Sequence, residues 1–133
     1  MTADLSQLTP VVKTISQGQL DNYAQASGDH NPLHLDAKFA ATTQFGGIIA
    51  HGMLTLAFIS EMMLGAFGKK WLESGSLKVR FKGAAYVGDE VETWGIVDRK
   101  DLQARNQLVV CSVGVRSRNS GKEIITGTAT VKV

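Results

Sequence analysis

The segment Met53 to Phe67 is apolar on nearly every face of a helix. No other feature constrains the fold as strongly. A helix lying on a surface keeps a polar stripe, whereas one that is apolar all round is enclosed by the rest of its fold. Thr55, Ser60 and Glu61 interrupt the run. It also falls short of the roughly 20 apolar residues that a membrane span needs. It therefore reads as a buried helix, weakened at Gly65 and ended at Gly68. The remaining chain must supply a wall that closes around it.

That wall is visible downstream. From Gly75 the hydrophobic period changes to two: Leu77, Val79 and Phe81 alternate with Lys78, Arg80 and Lys82, the pattern of a strand with one wet face. Val87-Gly88-Asp89 turns the chain into a second strand, Val91 to Val97. Gln107 to Val115 is a third, with Val109, Cys111, Val113 and Val115 on one face. Asn119-Ser120-Gly121 leads into Glu123 to Val133, where Ile125, Ala129, Val131 and Val133 share a face. Short turns between consecutive strands imply antiparallel pairing. Upstream, Val11 to Ile15 reads as another short strand. Ser16 caps a helix from Gln17 to about Ala26, and Gly28 suits its left-handed end. Asp36 caps a short helix, Ala37 to Thr42. The expected architecture is α+β: a five-stranded antiparallel sheet wrapped around one long central helix, the hot-dog arrangement, as a single domain over 1–133. Such a sheet has open edges and cannot cover the helix completely, so a homodimer through an edge strand is expected.

With 133 residues the chain suffices for one cored domain. A net charge of +2, with Lys and Arg scattered, argues against nucleic acid. A single cysteine, Cys111, leaves no intrachain disulfide and fits a reducing compartment. Met1 to Thr9 is polar, without a signal core. The expected location is the cytoplasm, with no membrane association.

Against this background Ser27-Gly28-Asp29-His30-Asn31-Pro32-Leu33-His34 stands out. It sets a carboxylate and two imidazoles in a turn that Pro32 stiffens. Asp29 and His34 can point into one cavity and share the proton of one water, which is general acid–base chemistry near neutral pH. Asn31 can brace the loop through backbone bonds. The second feature is His51-Gly52, ahead of the buried helix. Helix N-termini carry unpaired N–H groups and a positive partial charge, and a glycine leaves its N–H unshielded. The Gly52 N–H can therefore serve as an oxyanion donor beside a carbonyl. No nucleophilic Ser or Cys motif is present.

Tyr23 through Ala40 resembles the signature of the MaoC-like, (R)-specific enoyl-CoA hydratase family: an aromatic, then Ser-Gly-Asp-x-Asn-Pro-Leu-His, five residues and a small one. Tyr23, Ser27, Gly28, Asp29, Asn31, Pro32, Leu33, His34 and Ala40 match in register, and Ala26 departs mildly. Ile49-Ala50-His51-Gly52-Met53-Leu54 is similar to the family's segment at the start of the hot-dog helix. The resemblance implies that Asp29 and His34 activate water, that the Gly52 N–H polarises a thioester carbonyl, and that the product is an (R)-3-hydroxyacyl thioester. It implies supporting roles for Asn31, as a loop-shaping residue, and for Ser60, near the catalytic aspartate. The substrate it implies is an acyl-CoA or acyl-carrier-protein thioester, with no cofactor and no metal. Lys78, Arg80, Lys82, Lys69 and Lys70 are candidates for the CoA phosphates, and the central helix with Ala40 to Ile49 for the acyl pocket.

The plainer readings are a capping Asp29, a core His34, a surface His30, a structural His51 and a Ser60 bonded to its own helix. Asp29, His30, His34 and His51 are also metal-ligand types, but Pro32 breaks the helix that would align His30 with His34. Competing functions are a 3-hydroxyacyl-[acyl-carrier-protein] dehydratase subunit, a hot-dog acyl-CoA thioesterase and a non-catalytic acyl-binding subunit.

Overall fold

The computed structural model describes residues 7–101 and 107–133. The polar stretch before Gln7 lies outside them. The first strand, β1 (Val12–Thr14), runs into Ser16, and a capping box starts helix α1 (Gln17–Ser27). The Ser16 hydroxyl accepts from the Gln19 N–H at 3.2 Å, and the Gln19 side chain accepts from the Ser16 N–H at 3.1 Å. Two orphan donors of the first turn are thus satisfied reciprocally. Gly28 closes the helix at φ 80°, donating its N–H to the Ala24 carbonyl at 2.9 Å. A 3₁₀ turn, Pro32–His34, follows, and Asp36 caps helix α2 (Ala37–Ala41) through the N–H groups of Lys38 and Phe39.

The central helix α3 spans Gly52–Phe67, one residue earlier than its apolar pattern suggests. Gly65 does not interrupt it. Gly68 ends it at φ 56°, and a further helix, α4 (Lys69–Ser74), follows. That helix is absent from the sequence reading. Its determinant is Trp71, which is buried and donates its indole N–H to the Ser60 hydroxyl at 2.8 Å.

Four strands complete the wall: β2 (Ser76–Phe81), β3 (Glu90–Asp101), β4 (Leu108–Ser117) and β5 (Glu123–Lys132). All pairings are antiparallel, in the order β1-β3-β4-β5-β2. The alternating face of β4 (Val109, Cys111, Val113, Val115) is buried, as are Ile125, Ala129 and Val131 of β5. They meet Phe58, Ile59, Met62 and Met63 of α3. This is the expected five-stranded sheet around a central helix. The enclosure is one-sided, however. Met53 at the head of α3 is 57% exposed, and Phe81 at the end of the edge strand β2 is 53% exposed. Leu64 and Leu72 are exposed as well.

Candidate active site

Three segments build the site, and each is held locally. The first is the loop after α1, a relay of short side-chain-to-backbone bonds. The Ser27 hydroxyl accepts from the Asp29 N–H at 3.1 Å, the Asp29 carboxylate from the Asn31 N–H at 3.2 Å, and the Asn31 side chain from the Leu33 N–H at 3.0 Å. These i to i+2 bonds are Asx and Ser turns that replace helix or sheet pairing. Asn31 therefore shapes the loop, and its carbonyl accepts the His34 N–H at 3.0 Å.

The second segment is Ile48 to His51. It is pinned against Ala85 to Val87: the Ala50 N–H donates to the Ala85 carbonyl at 2.7 Å, and the Val87 N–H donates to the Ile48 carbonyl at 3.4 Å. The carbonyl of Ile49 turns to the loop and accepts from the Nδ1 of His34 at 2.7 Å. A carbonyl can only accept, so Nδ1 carries a proton, and in the neutral form of the ring the lone pair is on Nε2. His34 is 9% exposed, and its Nε2 has no protein partner among the described residues.

The third segment is the head of α3. The Gly52 N–H is one of the first-turn donors without an intrahelical acceptor. A Cβ at Gly52 would stand 3.1 Å from the Phe81 ring. A larger residue there would have to displace that ring by a few tenths of an ångström, so glycine gives the closest fit. His34, Gly52, Thr55, Phe81 and Lys82 help to line a cavity of about 360 Å³.

Asp29 is exposed at the edge of this arrangement and is not part of the cavity wall. Even so, one Asp29 carboxylate oxygen, one His34 ring nitrogen and one His51 ring nitrogen all lie within 4.8 Å of one another. The His34 and His51 rings stack, with centroids 4.0 Å apart and planes at 27°. The donor set is of metal-binding type, but its geometry fits a metal poorly. Lone pairs of stacked rings run side by side rather than converge on one ion. Nδ1 of His34 and Nε2 of His51 are also committed to the carbonyls of Ile49 and Asp29.

The chain matches the family model described as MaoC like domain over residues 2–131. The chain belongs to the MaoC-like family. Among curated relatives of this MaoC-like chain, "3-hydroxybutyryl-CoA dehydratase" of Methylorubrum extorquens is 34% identical over 132 residues, covering 95% of this chain and 78% of that protein. "(R)-specific enoyl-CoA hydratase" of Rhodospirillum rubrum is 33% identical over 135 residues, covering 96% of this chain and 85% of that protein. Among solved structures, an unliganded R-hydratase from Pseudomonas aeruginosa superposes with a TM-score of 0.81 at 32% identity. That superposition covers 95% of this chain and 79% of the other. The fold is the hot-dog fold of these MaoC-like relatives.

Of the residues singled out in the sequence, Asp29, Asn31, His34 and Gly52 are brought to one region. Ser60 is not joined to them. It lies eight residues along α3 from Gly52, about 12 Å up the axis, and its hydroxyl accepts from Trp71 rather than bonding Asp29. His30 is exposed. Of the cations offered for CoA phosphates, Lys82 borders the cavity, and it also borders a neighbouring one that includes Lys122. The pocket takes Phe45 and Ile49 from the segment expected to line it, together with Phe81 to Ala85. Two participants were missed. Phe81 reads in sequence as one more alternating strand residue, and the Ile49 carbonyl has no side-chain signature at all.

Proposed function

We propose that the chain is an enoyl-CoA hydratase that adds water reversibly to trans-2-enoyl-CoA, giving (R)-3-hydroxyacyl-CoA, as a single domain over 1–133. One observation carries the reading: the approach of an Asp29 carboxylate oxygen and a His34 nitrogen to within 4.8 Å. Two hydrogen bonds of about 2.8 Å converging on one tetrahedral oxygen span roughly 4.6 Å, so one water fits between the two groups. In this reading the Asp29 carboxylate and the bare Nε2 of His34 each accept one of its hydrogens, which leaves an oxygen lone pair for C3 of the substrate.

As the C3–O bond forms, the double-bond electrons move toward the thioester carbonyl. Its oxygen gains negative charge, which the Gly52 N–H and the positive end of α3 stabilise. A water O–H bond breaks to Asp29 or His34, and that pair returns a proton to C2 on the same face. Hydroxyl at C3 and hydrogen at C2 account for all the atoms of water, so the step consumes no cofactor. The acyl-CoA assignment and the (R) stereochemistry are supported by the names of the relatives, an (R)-specific enoyl-CoA hydratase and a 3-hydroxybutyryl-CoA dehydratase. The same atoms in reverse would dehydrate a 3-hydroxyacyl group.

We further infer a cytoplasmic homodimer. Exposed Met53, Phe81, Leu64 and Leu72 and the open edge of β2 support it. Among the described residues no helix is long and apolar enough to cross a membrane.

The test is spectrophotometric. The chain, purified alone, should hydrate crotonyl-CoA and longer trans-2-enoyl-CoA substrates. A preference for carrier-protein thioesters would transfer the reading to a dehydratase of carrier-bound acyl groups. Hydrolysis to free CoA would make the chain a thioesterase, and inactivity on every enoyl thioester would remove the central claim.

A further inference from the structure

The hydration chemistry makes no use of His51, yet His51 is the most enclosed titratable group of the site. It is 1% exposed, and its Nδ1 has no hydrogen-bond partner. Buried polar atoms are nearly always paired, so an orphan among them calls for a reason. Filling space would be served better by an apolar ring. The reason lies at the other nitrogen. Nε2 is 3.1 Å from the backbone carbonyl of Asp29, which can only accept, so Nε2 carries the proton. The ring also packs against two others: the Tyr23 ring at 4.7 Å, tilted, and the His34 ring at 4.0 Å, stacked. In sequence, His51 is the residue immediately before the oxyanion glycine, and its own side chain caps nothing in α3.

We propose that His51 is a positioning residue for the hydration reaction, whose Nε2–H ties the backbone of Asp29 to the start of α3. The base loop and the oxyanion donor come from segments 22 residues apart in the chain. Their separation must be held while a water, C3 and the carbonyl oxygen are aligned between them. Among the described residues the Asp29 carbonyl is the one point where the loop is hydrogen-bonded to His51. The stack on His34 fixes the second proton-handling group from the same ring, and the tilted Tyr23 ring packs against His51 as well. Burial lowers the affinity of His51 for a proton, opposed in part by the bond to Asp29 and reinforced by the nearby His34. The ring is thereby kept neutral, with its one proton on Nε2, where the Asp29 carbonyl accepts it.

The inference rests on the hydratase reading, and the experiment separates the two. His51→Phe keeps a flat ring for the stack, removes the orphan Nδ1 and removes the donor to Asp29. His51→Gln places an amide N–H where Nε2–H stands, and the shorter His51→Asn does not reach. With wild-type chain active on crotonyl-CoA, His51→Phe should lower kcat about tenfold, the equivalent of one hydrogen bond of alignment. KM should stay within about twofold, since substrate binding is not what the bond serves. His51→Gln should recover most of kcat and His51→Asn should not. Wild-type kcat in His51→Phe, or equal loss in the Gln and Asn variants, overturns the positioning role and leaves the hydratase reading standing. If His51→Phe does not fold, the Gln and Asn pair decides alone. A wild-type chain inert on every enoyl thioester overturns both.

Discussion

Nδ1 of His34 donates to the carbonyl of Ile49 across 2.7 Å, and this bond sets which nitrogen of the ring is available for chemistry. The two functions of the ring can be separated by substitution. His34→Asn keeps an amide donor near the Nδ1 position and deletes the basic Nε2. His34→Ala deletes both and leaves a buried carbonyl unpaired, at a cost of about 1–3 kcal/mol. Both variants should lose about 10²- to 10⁴-fold in kcat/KM on crotonyl-CoA, the usual contribution of a positioned proton-transfer group. Thermal denaturation should rank His34→Asn above His34→Ala. Asp29 is exposed, so Asp29→Asn should lose activity on the same scale with little change in Tm. Near wild-type turnover in folded Asp29→Asn would remove Asp29 from the mechanism.

The Gly52 N–H can be deleted without unwinding its helix. Proline is well tolerated at the first helical position, where its missing N–H has no intrahelical partner. His51, at φ −57° and ψ 134°, already has the extended conformation favoured before proline. A Cβ at position 52 does press on Phe81, at 3.1 Å, so Gly52→Ala is the control: the same Cβ with the N–H retained. Gly52→Pro should lose about 10²- to 10³-fold in kcat, the usual effect of removing one oxyanion donor. Gly52→Ala should lose clearly less, because the Phe81 ring can shift by a few tenths of an ångström. Equal kcat in the two variants would mean that the N–H is not the oxyanion donor.

Ser60 separates a structural role from a catalytic one. Its hydroxyl accepts the indole N–H of buried Trp71 at 2.8 Å. Ser60→Ala leaves that donor unpaired and should cost about 1–3 kcal/mol of stability. It should leave kcat/KM on crotonyl-CoA within about twofold of wild type, as expected for a hydroxyl whose bond serves Trp71. A large fall in kcat at unchanged Tm would restore Ser60 to the site.

Legibility in the sequence follows the range of the forces involved. The loop from Gly28 to Asp36 was readable because glycine, asparagine, proline and aspartate act on backbone within a few residues, and the bonds of Asn31 and the left-handed Gly28 are local effects of that kind. The sheet was readable because β4 and β5 alternate with the period of a strand against a buried helix. What escaped depends on contacts between distant segments. The Ile49 carbonyl is presented by pairing with Ala85 to Val87, and Phe81 reaches Gly52 only once β2 lies beside α3. The helix Lys69–Ser74 escaped because Gly68 reads as a stop signal, while the reason for a new helix is the docking of Trp71 on Ser60.

His51 also predicts how stability depends on pH. Its proton affinity in the folded chain lies below the ordinary value of 6.5, first because burial disfavours the charged ring. In the unfolded chain the ring takes up a proton near its ordinary value. Between that value and the lower folded one, the unfolded state holds more protons than the native state, so stability rises with pH across that interval. Read downward, the contribution of His51 is intact above about pH 6.5 and is lost as the pH falls below it. One such group limits the slope to about 1.4 kcal/mol per pH unit. Urea denaturation of wild type at a series of pH values from 8 downward should show ΔG falling below about pH 6.5. His51→Gln cannot take up that proton, so its curve should be flatter by the same increment. If the variant and the wild type run parallel through that range, the buried ring is not held neutral by the fold.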